Sequence, residues 1–260
     1  MQQICIRQFL CLHHAGIAVA SPAATVVYAN KAQIITRANG GLMYTFDLLF
    51  FCLSVALYAA YNFYIRHKEA VDPGFTIHGI SSTARVQWVA SVLEKKNAIL
   101  AVQTLRNATM ASTFMASTSV LLAVGVLSLT GNGENVRHTW HSLNFFGSVT
   151  SDMFAFKVLA LLLNFFLAFF CFTSSLRLYT HVAFMLGAET VSEDTSQISC
   201  MAKKYLNMGA NHFSMGMRAF YFTVPLVFWI FGAQFMLFGT VFLISIVYAL
   251  DKTPRKDRQE

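Results

Sequence analysis

Charged residues are scarce in this sequence. Lys, Arg, Asp and Glu together make up 12% of the 260 residues, against about 25% in soluble globular domains. Hydrophobic residues reach 56%, and 25 of them are Phe. A soluble chain of this length would leave large apolar patches exposed to water, and a disordered chain would not contain so many apolar residues. Both classes are therefore excluded, and an integral membrane protein remains.

Motifs of catalysis and metal binding are also absent from the sequence. The five cysteines contain no Cys-x-x-Cys pair, which argues against a disulfide framework or a zinc site. No Gly-x-Ser-x-Gly, Walker A or His-Glu-x-x-His motif occurs. His138 and His141 lie near Glu134 but lack a third ligand at suitable spacing. We therefore expect a non-enzymatic protein with no catalytic residue, no metal and no cofactor.

The net charge of +7 would suggest a nucleic-acid partner in a soluble domain. Here the basic residues lie in the short segments between apolar runs, where they help to set the orientation of a membrane protein. No nucleic-acid partner is therefore expected, and the predicted partner is the lipid bilayer.

Four charge-poor runs are long enough to cross a bilayer, which requires about 20 mostly apolar residues. They cover about residues 44–65, 107–130, 156–176 and 219–250. Backbone groups in lipid must be satisfied within each segment, so each run is predicted to be a helix. The last run is too long for one upright helix and too short for two spans. We expect a single tilted helix, kinked near Pro225.

The predicted fold is therefore an all-α, integral membrane four-helix bundle over residues 43–250. Amphipathic interfacial helices are expected before the second and fourth spans, because Val86, Val89 and Leu93 share one helical face. Residues 251–260 form a charged tail. Residues 1–42 are a leader, expected to be disordered. It is an organelle transit peptide, a weak signal segment, or sequence ahead of a true start at Met43, which is the favoured interpretation.

One face of the predicted bundle carries an arginine at every span boundary: Arg66, Arg106, Arg177 and Arg218. Without the leader, ten Lys and Arg residues fall on this face and six on the other. The positive-inside rule then places this face in the cytosol and both chain ends across the membrane, although the basic tail argues the other way. Guanidinium groups match phosphate geometry, so this face is predicted to dock anionic lipid or a partner.

Four polar side chains fall inside the predicted spans: Asp47, Lys157, Asn164 and Gln234. Asp47 and Lys157 lie near the same membrane face, where they are solvated by headgroups, form an ion pair or take part in transport. Asn164 and Gln234 lie near the middle of their spans and either join helices by hydrogen bonds or line a solute path. The alternative function is therefore a small-solute transporter or channel. Four helices enclose little space, so that function requires a homo-oligomer.

Several stretches together resemble one known family: residues 75–93, 101–118, 156–181 and 216–232. The sequence resembles the uncharacterised multi-pass membrane proteins catalogued as domain of unknown function 599, found in plants and bacteria, over about residues 43–250. The resemblance implies a membrane protein and transfers no activity. Where the family often has Tyr-His, this chain has Tyr61-Asn62.

The stretches that carry the resemblance lie mostly at the arginine-bearing face. They give a candidate working surface of nine residues. Its members are Arg66, Arg85, Trp88, Gln103, Arg106, Asn107, Arg177, His181 and Arg218.

Overall fold

The structure is a computed structural model that describes residues 22–95, 97–131, 151–188 and 195–252. This part of the chain is all-helical, which confirms the predicted all-α class. His138, His141 and Glu134 lie outside the described residues. The six α-helices of the described part are α1 (Pro22–Val71), α2 (Ile77–Glu94), α3 (Ala98–Gly131), α4 (Ser151–Ala188), α5 (Thr195–Phe231) and α6 (Ala233–Asp251).

Five of these helices are long and apolar enough to cross a membrane, namely α1 from Tyr44 onwards and all of α3 to α6 except their ends. The chain is therefore a multi-pass membrane protein. The prediction of four spans is corrected to five, because the last apolar run contains a helix break. The additional length comes from residues 197–218, a polar segment that is continuous with the apolar helix following it.

The break between α5 and α6 is a single residue, Gly232, and α5 continues through Pro225 without ending there. Gly232 has φ 158° and ψ 151°, a conformation that is essentially restricted to glycine. The helix α6 then folds back along α5, since a Cβ placed on Gly239 would lie 2.9 Å from the Phe228 ring and 3.5 Å from Pro225 Cα. The two helices therefore form a hairpin with almost no loop.

The helix α1 begins at Pro22, inside the segment that was expected to be a disordered leader. Proline is favoured at the first position of a helix, and no further proline follows until Pro73. A nucleated helix gains one hydrogen bond for each added residue, so it extends until a breaker stops it. The chain divides into two units, residues 1–45 and 46–260. All packing described below belongs to the second unit.

The long helices α3, α4 and α5 pack side by side in antiparallel order. The Oγ atoms of Ser112 and Ser175 are 3.4 Å apart between α3 and α4. The Nδ2 atom of Asn164 in α4 donates to Thr223 Oγ1 in α5 at 2.9 Å. Small residues allow close contact, since a Cβ on Gly216 would lie 2.7 Å from the Phe172 ring. These pairs fix the register of the three helices.

The helices α3, α4 and α5 extend beyond the arginines and form a small helical head with α2. Its core is an apolar cluster from all four helices. The members are Val89, Val92, Ala101, Leu105, Tyr179, Val182, Leu186, Ala202 and Leu206. The helix α2 also leaves Ile77 and Ile80 exposed, so it has apolar residues on both faces. The expected interfacial helices are therefore parts of this head, one being α2 and the other the first half of α5.

Candidate functional site

The candidate site lies at the end of the bundle where α1 ends and α3 begins, which we name the arginine end. The end where α5 turns into α6 is named the opposite end. Lys157 lies at the opposite end, and Arg177 follows it by 20 residues along α4. The rise between them is about 30 Å, which matches the hydrocarbon thickness of a bilayer. His181 lies one turn further on, about 36 Å from Lys157 along the helix axis.

Three functional candidates lie at this level of the bundle, which we name the Arg85 layer. The register of α3 and α4 brings Arg106 to the level of His181, and the register of α4 and α5 brings Asn207 to the same level. The Nε atom of Arg85 in α2 donates to Asn207 Oδ1 at 2.8 Å. The structure therefore places Arg85, Arg106 and His181 in one layer around the head.

Arg85 differs from its neighbours because its side chain is half-buried. Its Nη2 atom is buried and has no hydrogen-bond partner in the structure. None of the described carboxylates lies within 4.0 Å of the Arg85 guanidinium, so Arg85 forms no ion pair with them. Burial lowers the pKa of the Arg85 guanidinium, while Tyr179 and Glu69 oppose this shift. A guanidinium stays protonated in proteins, so the positive charge remains.

Arg218 belongs to a separate polar cluster between α1, α5 and α6, which we name the Arg218 cluster. Its Nη2 atom is 2.9 Å from Asp251 Oδ2, and its Nη1 atom donates to Asn62 Oδ1 at 2.5 Å. Tyr61 donates its hydroxyl hydrogen to the same Asp251 oxygen at 3.0 Å, and Tyr58 donates to the Arg218 carbonyl at 2.8 Å. Every charge in this cluster is therefore paired.

The Arg218 cluster lies nearer to the middle of the bundle than the Arg85 layer. Eleven residues of α5 separate Arg218 from Asn207 in that layer, a distance of about 16 Å. An ion pair in hydrocarbon is costly unless hydrogen bonds complete it. Arg218 is therefore a structural link between three spans, remote from the layer that contains Arg85.

The nine residues of the predicted working surface thus do not form one site. Trp88 is half-buried against the core of the head, and Arg218 lies about 16 Å from Asn207 along α5. The remaining side chains apart from Arg85 are exposed at the arginine end. They are Arg66, Gln103, Arg106, Asn107, Arg177 and His181.

Asp47 and Lys157 meet at the opposite end, with Lys157 Nζ 3.8 Å from Asp47 Oδ2. Their side chains are 2% and 4% exposed within the bundle, and Lys157 Nζ lies 5.5 Å from the centre of the Trp229 ring. Trp229 also stacks on Phe51 at 4.5 Å between ring centres. Of the three alternatives, this geometry corresponds to a buried ion pair.

Asn164 and Gln234 lie in different environments. The Asn164 amide donates to the Ala219 carbonyl and to Thr223 Oγ1, both at 2.9 Å, and so joins α4 to α5. Gln234 is exposed on the outside of α6, two residues after the break. The structure therefore does not bring these two amides to a common path.

Sequence reasoning missed three polar partners of these groups: Asp251, Asn62 and Asn207. Asp251 falls in the expected charged tail, although it directly follows an unbroken apolar run. Asn207 lies in a polar segment whose helix could be recognised only from its packing. Among the described residues, no three His, Cys, Asp or Glu side chains lie together as a metal site.

A family model described as "Protein of unknown function, DUF599" matches residues 49–256, four fifths of the chain. The chain belongs to the DUF599 family. No curated protein and no solved structure matches it. The match includes α2 to α6 and the second half of α1 from residue 49, so both the Arg85 layer and the Arg218 cluster lie within the DUF599 region.

The five-span topology changes the charge distribution of this DUF599 chain. The helix α6 ends at the arginine end, where Lys252 forms a β-bridge with Thr76 after α1. Ten of the eleven Lys and Arg side chains that the structure describes therefore lie in the half of the bundle towards the arginine end. Lys157 is the eleventh, and it is paired with Asp47.

Proposed function

We propose that this DUF599 protein is a non-enzymatic membrane protein whose arginine end docks the anionic lipid headgroups of one leaflet. The observation that carries the proposal is the charge asymmetry of the side chains that the structure describes in the second unit. The half towards the arginine end has ten basic and four acidic side chains, a net charge of +6. In the other half, the described charged side chains are Lys157 and Asp47.

Seven of the ten basic side chains are exposed: Arg66, Lys68, Lys95, Arg106, Arg177, Lys204 and Lys252. Basic side chains near an anionic membrane surface contribute about 1 kcal/mol each to lipid attraction. Guanidinium groups add bidentate hydrogen bonds to phosphate. A set of exposed arginines at headgroup depth therefore favours anionic lipid over a neutral surface.

The topology also supports a cytosolic arginine end. With five spans, the four basic residues of the tail are counted on the side of the arginine end. Without the leader, the Lys and Arg count of the arginine end against the opposite end then changes from ten against six to fourteen against two. The positive-inside rule then has a clear direction. The tail no longer opposes the orientation that was inferred from the sequence.

The experiment compares retained lipid on purified full-length protein. Protein in mixed micelles of phosphatidylglycerol and phosphatidylcholine is examined by native mass spectrometry, and the ratio of the two bound lipids is measured. We expect phosphatidylglycerol to be preferred. The triple variant R66Q/R106Q/R177Q should lose on the order of 100-fold in relative affinity, since three charges contribute about 3 kcal/mol.

The triple variant R66K/R106K/R177K is the matched control, because it keeps the charge. It should keep most of the preference, which should also weaken at high salt. Equal binding of the two lipids by the wild type, or an unchanged ratio in the glutamine variant, would contradict the proposal.

The alternative of an oligomeric small-solute transporter has less support. It was based on a path past Asn164 and Gln234, and Gln234 faces outwards while the Asn164 amide is engaged between α4 and α5. Solute flux into proteoliposomes tests this alternative directly.

A further inference from the structure

In the part of the second unit that the structure describes, three Lys or Arg side chains form ion pairs or side-chain hydrogen bonds, and one of these three lacks a negative partner there. Lys157 is paired with Asp47 and Arg218 with Asp251. Arg85 has the neutral Asn207 as its acceptor, and its Nη2 atom is buried without a partner. A partly buried charge that is not compensated destabilises a fold, so the contrast requires an explanation.

Glu69 is the described carboxylate that influences Arg85 electrostatically, and it is already engaged. Its Oε1 atom lies 2.7 Å from His78 Nδ1. The opposing effect of Glu69 on Arg85 is therefore exerted from beyond ion-pair distance. The described part of the chain thus offers the Arg85 guanidinium no direct counter-charge.

We propose that Arg85, held by Asn207 between α2 and α5, is a specific binding site for a phosphate group. This inference rests on the proposed function and names one side chain at which an anionic headgroup is recognised. Arg85 is half-buried, so part of its side chain reaches the surface of the head, while its Nη2 atom is enclosed. Hydrogen bonds from a fixed guanidinium to a phosphate are strong and directional.

The depth of Arg85 favours a lipid as the source of the phosphate. The layer of Asn207 lies about 36 Å along α4 from Lys157, which is one headgroup thickness beyond about 30 Å of hydrocarbon. The phosphates of the leaflet therefore lie at the same height as Arg85. His78 Nε2 is also buried without a partner, but it is about 10 Å away along α2 and does not contact the same phosphate group.

The test measures the thermal unfolding of the purified full chain in detergent with three added probes. The probes are dioctanoyl phosphatidic acid, inorganic phosphate and dioctanoyl phosphatidylcholine. We expect phosphatidic acid to raise Tm by roughly 5 °C at about 100 times its Kd, and phosphatidylcholine to raise it far less. A rise with inorganic phosphate means that the phosphate group alone is sufficient, and no rise with inorganic phosphate means that the lipid is required.

Two variants and one control assign the effect to Arg85. R85Q should weaken phosphatidic acid binding at least about 10-fold, since it removes a charge-assisted hydrogen bond. Q87A removes an exposed polar side chain from the same helix, outside the set of docking residues, and should change this binding less than about two-fold. Equal responses of R85Q and Q87A would overturn the proposal.

N207D keeps the proposal testable even where R85Q fails to fold. The substitution keeps an oxygen at the position that accepts from Arg85 Nε and supplies the missing negative charge from within the chain. Its Tm without ligand should exceed that of the wild type, and the rise with phosphatidic acid should disappear. A wild type that responds to neither phosphate probe, or an N207D variant that responds fully, would refute the site.

The outcome is distinguishable from a failure of the proposed function. Loss of phosphatidylglycerol preference in micelles depends on Arg66, Arg106 and Arg177 together. If that preference exists and R85Q leaves phosphatidic acid binding unchanged, the Arg85 site is wrong and the docking function stands.

Discussion

The buried pair of Asp47 and Lys157 gives the sharpest stability prediction. The charged atoms are 3.8 Å apart and both side chains are almost fully enclosed. At an effective dielectric constant of about 20, two unit charges at this distance attract by about 4 kcal/mol. Removing one partner of a buried pair typically costs about 3–5 kcal/mol, because the other charge stays buried.

We therefore expect D47N and K157M each to lower the free energy of unfolding by about 3 kcal/mol or more. The double variant D47N/K157M should be more stable than the sum of the single effects predicts, with a coupling of about 2 kcal/mol or more. Unfolding is followed by circular dichroism while sodium dodecyl sulfate is titrated into dodecyl maltoside micelles. Each variant is compared with the wild type under identical conditions.

Q234M is the matched control, since it removes an exposed polar side chain near the same end of the bundle. Its effect should stay within about 0.5 kcal/mol. If D47N and K157M also change stability by less than about 1 kcal/mol and show no coupling, the two groups are solvated by headgroups. The buried ion pair would then be refuted.

Three further predictions concern the helix break, the packing and the topology. G232A should lower the free energy of unfolding by about 1–3 kcal/mol, because alanine does not tolerate this backbone conformation. G125A is the control, since a Cβ there meets nothing within 4 Å. An equal effect of both substitutions would contradict the helix break at Gly232. G216A should cost about 1–3 kcal/mol from its clash with Phe172, and a neutral result in the same titration would contradict the α4–α5 register. The topology is tested with two single-cysteine chains, one that keeps Cys200 and one with a cysteine introduced after residue 252. An impermeant maleimide should label both from the same side of the membrane. Labelling from opposite sides would refute five spans.

The sequence was sufficient to predict the membrane class and the helical class, because both follow from the scarcity of charge. It was not sufficient for the number of spans. The run of residues 219–250 is shorter than two spans, and only the structure shows that α5 continues back through the polar residues around Lys203 and Asn207. Counting apolar residues overlooks a helix whose first half packs in a head rather than in lipid.

The candidate site was predictable only as a set of residues. Arg85 and Arg218 look alike in the sequence, since each precedes an apolar stretch. They differ in the side chains that the fold brings to them. Arg218 meets Asp251 at the end of α6, whereas Arg85 meets Asn207 in α5. Such pairings depend on helix register, which a single sequence does not contain.

The hairpin of α5 and α6 has a consequence for biogenesis. Arg218 lies within the membrane-spanning helix α5, and its carboxylate partner, Asp251, is synthesised 33 residues later. During translation α5 therefore reaches the translocon with an unneutralised positive charge, and only the arrival of α6 completes the pair. The two helices are best inserted together, and a ribosome that stops before Asp251 leaves a nascent chain that the quality-control machinery can recognise by its exposed arginine.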